Sequence, residues 1–98
     1  MTVDGFLATL ASAQPPPAFG AVLQALWWDA KDDWDQAHAC VDSGESPDDI
    51  RVHAYLHRKE GDLGNAAYWY RRIGRSLSDI PLTVERDALL RDLLAAAP

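Results

Sequence analysis

Two histidines set the first question. His53 and His57 stand four residues apart, the spacing that puts two imidazoles on one face of a helix, where they can grip a single metal ion. A tetrahedral ion needs a third and a fourth ligand. His38, Cys40 or Glu60 supplies these only if the helices that carry them pack in the right register. Ala54 follows His53, so the pattern is not the His-Glu-x-x-His of zinc peptidases. The competing reading makes both histidines seam-filling residues whose nitrogens bond a backbone carbonyl or an acid. The residues favour that reading, with no metal and no cofactor. The alternative they leave open is a small ligand- or metal-dependent enzyme centred on His53, His57 and neighbouring carboxylates.

Other reactive side chains point away from catalysis. Cys40 lies beside Val41 and reads as a small buried apolar residue, since no neighbouring base or oxyanion site equips it as a nucleophile. Asp32-Asp33 and Asp48-Asp49 are better helix caps than acid/base pairs, because adjacent residues diverge on a helix. Gly61-Asp-Leu-Gly64 lacks the lysine and the preceding strand of a phosphate loop. No catalytic residue is expected.

A second group could do recognition rather than chemistry. Trp27-Trp28 and Tyr68-Trp69-Tyr70 are runs of adjacent aromatic residues, and the latter runs into Arg71 and Arg72. Three consecutive helical residues span about 200°, so the rings of one run cannot all enter one seam. At least one ring of each run must be exposed, covered by a terminal helix, or held at an interface. Interfaces favour aromatics beside arginine. The interaction candidates are Trp27, Trp28, Tyr68, Trp69, Arg71 and Arg72.

The elements that position these residues are helical throughout. Val3, Phe6, Leu7 and Leu10 make a short leading stripe, stopped by Pro15-Pro16-Pro17. Phe19, Val22, Leu23, Leu26 and Ala30 predict an amphipathic helix over about 18–31, with Pro17 near its start. Asp33 caps a third helix, with Gln36 in the capping-box position and Trp34, Ala37 and Val41 on one face. Ser46-Pro47-Asp48-Asp49 opens a fourth helix over about 47–60, whose apolar face is Ile50, Ala54 and Leu56 with His53 or His57, and Gly61 closes it. Asp62 caps the fifth, with Leu63, Ala66, Ala67, Tyr70 and Ile73 inward. A last helix over about 83–96 turns Val84, Ala88, Leu89 and Leu93 to the core, with Leu90 and Leu94 more loosely placed. No two-residue alternation calls for a sheet.

An offset of 29 residues aligns Lys31-Asp32-Asp33-Trp34-Asp35-Gln36-Ala37 with Glu60-Gly61-Asp62-Leu63-Gly64-Asn65-Ala66. In each copy an Asp caps the second helix of a hairpin, a large apolar residue fills the corner and an Ala lets the helices approach. The run Gly61-Asp-Leu-Gly-Asn-Ala-Ala-Tyr-Trp-Tyr70, with Ala54 in the preceding helix, resembles the turn and second helix of a tetratricopeptide repeat. The first copy departs from that pattern, with Asp32 where Gly is usual and Gly44 where Ala is favoured. The period is also shorter than the family's 34 or so. The resemblance covers residues 21–74 and implies stacked helix pairs and a role in protein interaction. The run from His53 to Gly74 also resembles one in small uncharacterised bacterial proteins and some fungal ones, which implies a fold and no activity.

Composition bounds the rest. The 98 residues, 48% hydrophobic, suit one domain, 1–98: a leading helix and Pro-rich linker (1–17), two antiparallel hairpins (18–44 and 46–74) and a C-terminal helix (79–98). A net charge of −6 opposes nucleic-acid binding by the whole chain. That charge is segregated, with eight acids against Lys31 over 29–49 and six bases against Glu60 and Asp62 over 51–75. Opposite blocks can neutralise each other within a monomer or across a contact between copies. No apolar run approaches the roughly 20 residues of a membrane helix. The first residues lack a basic n-region, and one cysteine cannot form an internal disulfide, so a cytoplasmic location is expected. The expectation is an all-α domain of five to six short helices that acts as a non-catalytic interaction or scaffold module, with a protein partner or a second copy.

Overall fold

A computed structural model describes residues 1–96, and the last two residues of the expected C-terminal segment lie outside the described residues. Six α-helices and a short 3-10 turn account for the regular structure, with no strand among the described residues: α1 (Val3–Ala8), the turn Thr9–Ala11, α2 (Ala21–Ala30), α3 (Trp34–Val41), α4 (Pro47–Glu60), α5 (Leu63–Arg72) and α6 (Leu82–Ala96). Consecutive helices α2 and α3 pack closely, as do α4 and α5, and α4 also meets α2, α3 and α6. That centrality explains a helix buried almost all round, at Ile50, Val52, His53, Ala54, Tyr55, Leu56 and His57. The radius of gyration, 12.6 Å, is that of a chain this long folded around one interior.

The helix starts follow local chemistry. The Ser46 hydroxyl accepts from the Asp49 N–H, Pro47 takes the first helical position, and Gly61 closes α4 at φ +88°. The α2–α3 corner has the same construction as the α4–α5 corner 29 residues on. Asp32 and Gly61 both adopt left-handed backbone, at φ 59° and 88°. The Asp33 N–H donates to Trp28 O and the Asp62 N–H to His57 O, at 2.9 and 3.0 Å. Both aspartates then accept an N–H three residues on, and Ala37 and Ala66 are both fully buried. Because the Asp33 N–H is already taken, the Gln36 amide bonds the Asp33 carboxylate and not that backbone group.

Several expectations are corrected. Helix α2 begins at Ala21 rather than near 18, because the proline run ends in a turn, Phe19 N–H to Pro16 O, that folds Phe19 inward to stack on Phe6 at 5.5 Å. Pro17 is therefore outside the helix. Leu63, expected inside, is 51% exposed at the first position of α5. Val84 is likewise exposed, while Leu89, Leu90, Leu93 and Leu94 are all buried. The phase of α6 is set by Glu85, which turns inward at the position Val84 was expected to hold.

Glu85 and Asp29 are buried carboxylates, and each is fully engaged. Asp29 accepts from the Tyr55 hydroxyl at 2.9 Å and pairs with Lys59 Nζ at 2.6 Å. Glu85 accepts from the Tyr70 hydroxyl and pairs with Arg58 at 2.7 Å. Burial and the neighbouring carboxylate push both tyrosine hydroxyls well above their ordinary ionisation range. These triads tie α2 to α4, and α4 to α5 and α6, and with Arg51–Asp92 they pair three of the six bases of the 51–75 block within one chain, one of them with Asp29 of the acid-rich block and two with acids of α6.

Candidate functional site: a histidine centre between two tryptophans

The register that the histidine argument required is present. Helix α3 lies against α4 so that His38 Nε2 sits 3.0 Å from His53 Nε2. His57, one turn on from His53, completes the group. One ring nitrogen from each of the three lies within 4.8 Å of the others. His53 and His57 are buried and His38 is half-buried, giving a centre with one side toward solvent. Cys40 is not part of it and packs against the main core. Burial pushes the Cys40 thiol up, away from the thiolate a nucleophile needs.

Each ring is held from outside. Trp34, at the start of α3, stacks on His38 at 4.8 Å and is pinned by its indole N–H, which donates to Leu56 O at 2.8 Å. Trp69, from α5, stacks on His53 at 4.3 Å. The Glu60 carboxylate meets His57 Nδ1 at 2.7 Å. A carboxylate accepts, so Nδ1 carries the hydrogen and the lone pair of the neutral ring lies on Nε2. The Asn65 amide is placed to donate to that Nε2 at 3.4 Å.

His53 is the exception to this satisfaction. Its Nδ1 is buried and has no hydrogen-bond partner. Burial first, then the nearby His57 and His38 rings, lower its pKa to about 4, against a weaker opposing pull from Asp42. The ring is neutral near pH 7, with a lone pair available.

An aromatic series continues outward from this centre. Tyr68 lies edge-on to Trp69 at 5.1 Å, and the Arg72 guanidinium lies over the Trp69 ring at 4.9 Å. Tyr68, Arg71 and Arg72 are exposed and Trp69 is half-buried. Trp27 does not belong with them. It is fully buried, with its indole N–H donating to Thr9 Oγ1 at 3.1 Å, and cannot touch a partner. Of the Trp27-Trp28 pair, α2 turns the first ring into the core because that helix packs on α3, α4 and α6 at once. Trp28 is half-buried in a separate cleft with Pro15 and Cys40.

Trp34 was expected as a helix-face residue, and its role as a wall of the histidine centre was not legible. No helix among the described residues is long and apolar enough to cross a membrane. Comparison with protein-family models, curated proteins and solved structures finds no match.

Proposed function

We propose that this chain is a non-catalytic protein-interaction module whose exposed face on α5, formed by Tyr68, Trp69, Arg71 and Arg72, binds an acidic segment of a partner protein. The observation that carries the reading is the state of the arginines. Arg51, Arg58 and Lys59 of the basic block are spent on Asp92, Glu85 and Asp29. Arg71, Arg72 and Arg75 make no ion pair among the described residues, and residues 63–75 contain no acid. Unpaired guanidinium groups beside a half-exposed indole and a 48% exposed tyrosine combine charge steering with a flat apolar anchor. The recurrence of corner geometry at 29 residues supports treating the two hairpins as one unit used twice, similar to tetratricopeptide repeats, which is an architecture suited to presenting helix faces.

Selection of random peptides on the immobilised chain tests this. Acid-rich peptides should be enriched, their binding should weaken as salt rises, and Arg71→Glu with Arg72→Glu should reduce affinity at least about tenfold with the melting temperature unchanged. Equal binding by that double variant, or enrichment without acidic bias, refutes the reading. Concentration-dependent dimers that the same variant dissociates would make a second copy, through its acid-rich 29–49 block, the occupant instead.

A further inference from the structure

We propose that His38, His53 and His57 bind one divalent transition-metal ion of the imidazole-preferring class, with Zn²⁺ and Co²⁺ as its working representatives. The inference does not depend on the α5 surface. Three observations carry it. The first is convergence: the chain has three histidines, and all three meet here from two helices, with ring nitrogens within 4.8 Å of one another. Two imidazole nitrogens on one tetrahedral ion at 2.0–2.1 Å stand about 3.3 Å apart. His38 Nε2 and His53 Nε2 already stand at 3.0 Å, within a few tenths of an ångström of that spacing, and the His57 ring nitrogen lies within 4.8 Å of the group, close enough for ring rotation to bring it in.

The second observation is the outer shell. Glu60 holds the Nδ1 hydrogen of His57 at 2.7 Å and so leaves the lone pair on Nε2, where the only other contact among the described residues is the long one to the Asn65 amide at 3.4 Å. Carboxylate-to-histidine contacts of this kind fix the tautomer and raise the basicity of a ligating ring. Trp34 and Trp69 lie against the outer rings and limit their rotation. The third observation is the orphaned Nδ1 of His53. A leucine or phenylalanine would fill that space without leaving a buried polar atom unpaired, an arrangement that costs stability. An imidazole kept there at that cost is explained by a use for its other nitrogen.

His57, Glu60 and Asp62 form a second, more exposed group that shares His57. It competes for the same ligand and differs in what it needs: it uses Glu60 and Asp62 directly and leaves His38 and His53 out. The three-histidine site has no fourth protein ligand in its group among the described residues, so water or an exogenous ligand would complete a tetrahedron.

The test uses the full chain, stripped with chelator and titrated with Co²⁺ and then Zn²⁺. The expected result is one ion per chain, with four-coordinate visible absorption for Co²⁺, quenching of tryptophan emission through the adjacent Trp34 and Trp69, and displacement by Zn²⁺. Imidazole nitrogen NMR reads all three histidines without any substitution, and Zn²⁺ should shift all three. Asp62→Asn should leave affinity unchanged, while His38→Gln, at the half-buried position, should weaken it at least about a hundredfold in a chain whose circular dichroism stays native. Shifts confined to His57, loss of binding in Asp62→Asn, or the absence of any spectral change in the folded chain each overturns the proposal.

Discussion

Protonation of His53 should be the main acid-sensitive event in the metal-free fold. The groups facing it are His57 on its own helix, His38 on α3 with Asp42 just past the end of that helix, and, through the Trp69 ring, Arg72 on α5. Three of these are or can become cationic, and the His53 ring itself is buried, so the folded chain resists a proton that the unfolded chain accepts with an ordinary pKa of 6.5. Folded at about 4 and unfolded at 6.5, the group makes the unfolded state bind more protons between those values. Stability therefore rises with pH across that window, is fully present above 6.5 and is lost as pH falls through about 4. At 1.36 kcal/mol per unit the difference is about 3 kcal/mol, a large share of the 5–15 kcal/mol typical of a whole domain. The assay is urea unfolding followed by circular dichroism, in chelator, at pH 7, 5.5 and 4. Carboxylates also titrate over this range, so the quantity to read is the difference between wild type and His53→Phe, which keeps an aromatic ring against Trp69. The variant should lose about 3 kcal/mol less between pH 7 and 4. Parallel loss by the two chains would refute the argument that His53 is held neutral by its surroundings.

The two hairpin corners offer an internal control. Asp32 is 92% exposed at the side chain and sits at φ 59°, so Asp32→Gly should relieve left-handed strain and stabilise by about 0.5 kcal/mol, whereas Gly61→Ala at φ 88° should destabilise by about 1 kcal/mol in the same melts. Tyr55→Phe removes one of the two side-chain donors to the buried Asp29 carboxylate and should cost about 1–3 kcal/mol by denaturant titration, with the helical spectrum retained. Trp27→Ala should cost about 3–5 kcal/mol, the range for a fully enclosed large ring, while Tyr68→Ala should change stability by less than about 0.5 kcal/mol, a contrast that separates the core member of the tryptophan and tyrosine runs from the surface one.

The helix count and most boundaries were legible because the caps are local: Ser46, Asp33 and Asp62 each bond a backbone N–H three residues on, an arrangement within one turn that short-range pattern describes. What escaped was set by contacts between distant segments. The start of α2 moved because Phe19 found Phe6. The phase of α6 moved because Glu85 found Tyr70 and Arg58 across 15 and 27 residues. The histidine pair was visible from its four-residue spacing, but the third member depends on the register of α3 on α4, a distance of 15 residues through a loop. Trp27 and Trp28 are adjacent and apolar alike, so no pattern of types says which one the packing of α2 encloses.

The three buried polar clusters of this fold are not equivalent, and the difference bears on which of them does more than hold the chain together. Asp29 with Tyr55 and Lys59, and Glu85 with Tyr70 and Arg58, each combine one anion, one cation and one hydroxyl, so charge and hydrogen bonding close within the cluster. Such closed sets fix which helices meet and leave no donor or acceptor seeking a partner. The histidine centre has the opposite character. It gathers three bases with one carboxylate at its edge, leaves His53 Nδ1 unpaired and, among the described residues, gives the lone pair of His57 Nε2 only a long contact with the Asn65 amide. A cluster serving packing alone would be stabilised by replacing any of these rings with an apolar side chain. A cluster that gains a cation is stabilised by keeping all three. The sign of the stability change on substituting His53 therefore depends on whether Zn²⁺ is present: neutral or favourable in chelator at pH 7, unfavourable with the ion in excess. Closed salt-bridge triads elsewhere in the molecule have no reason to show such a reversal.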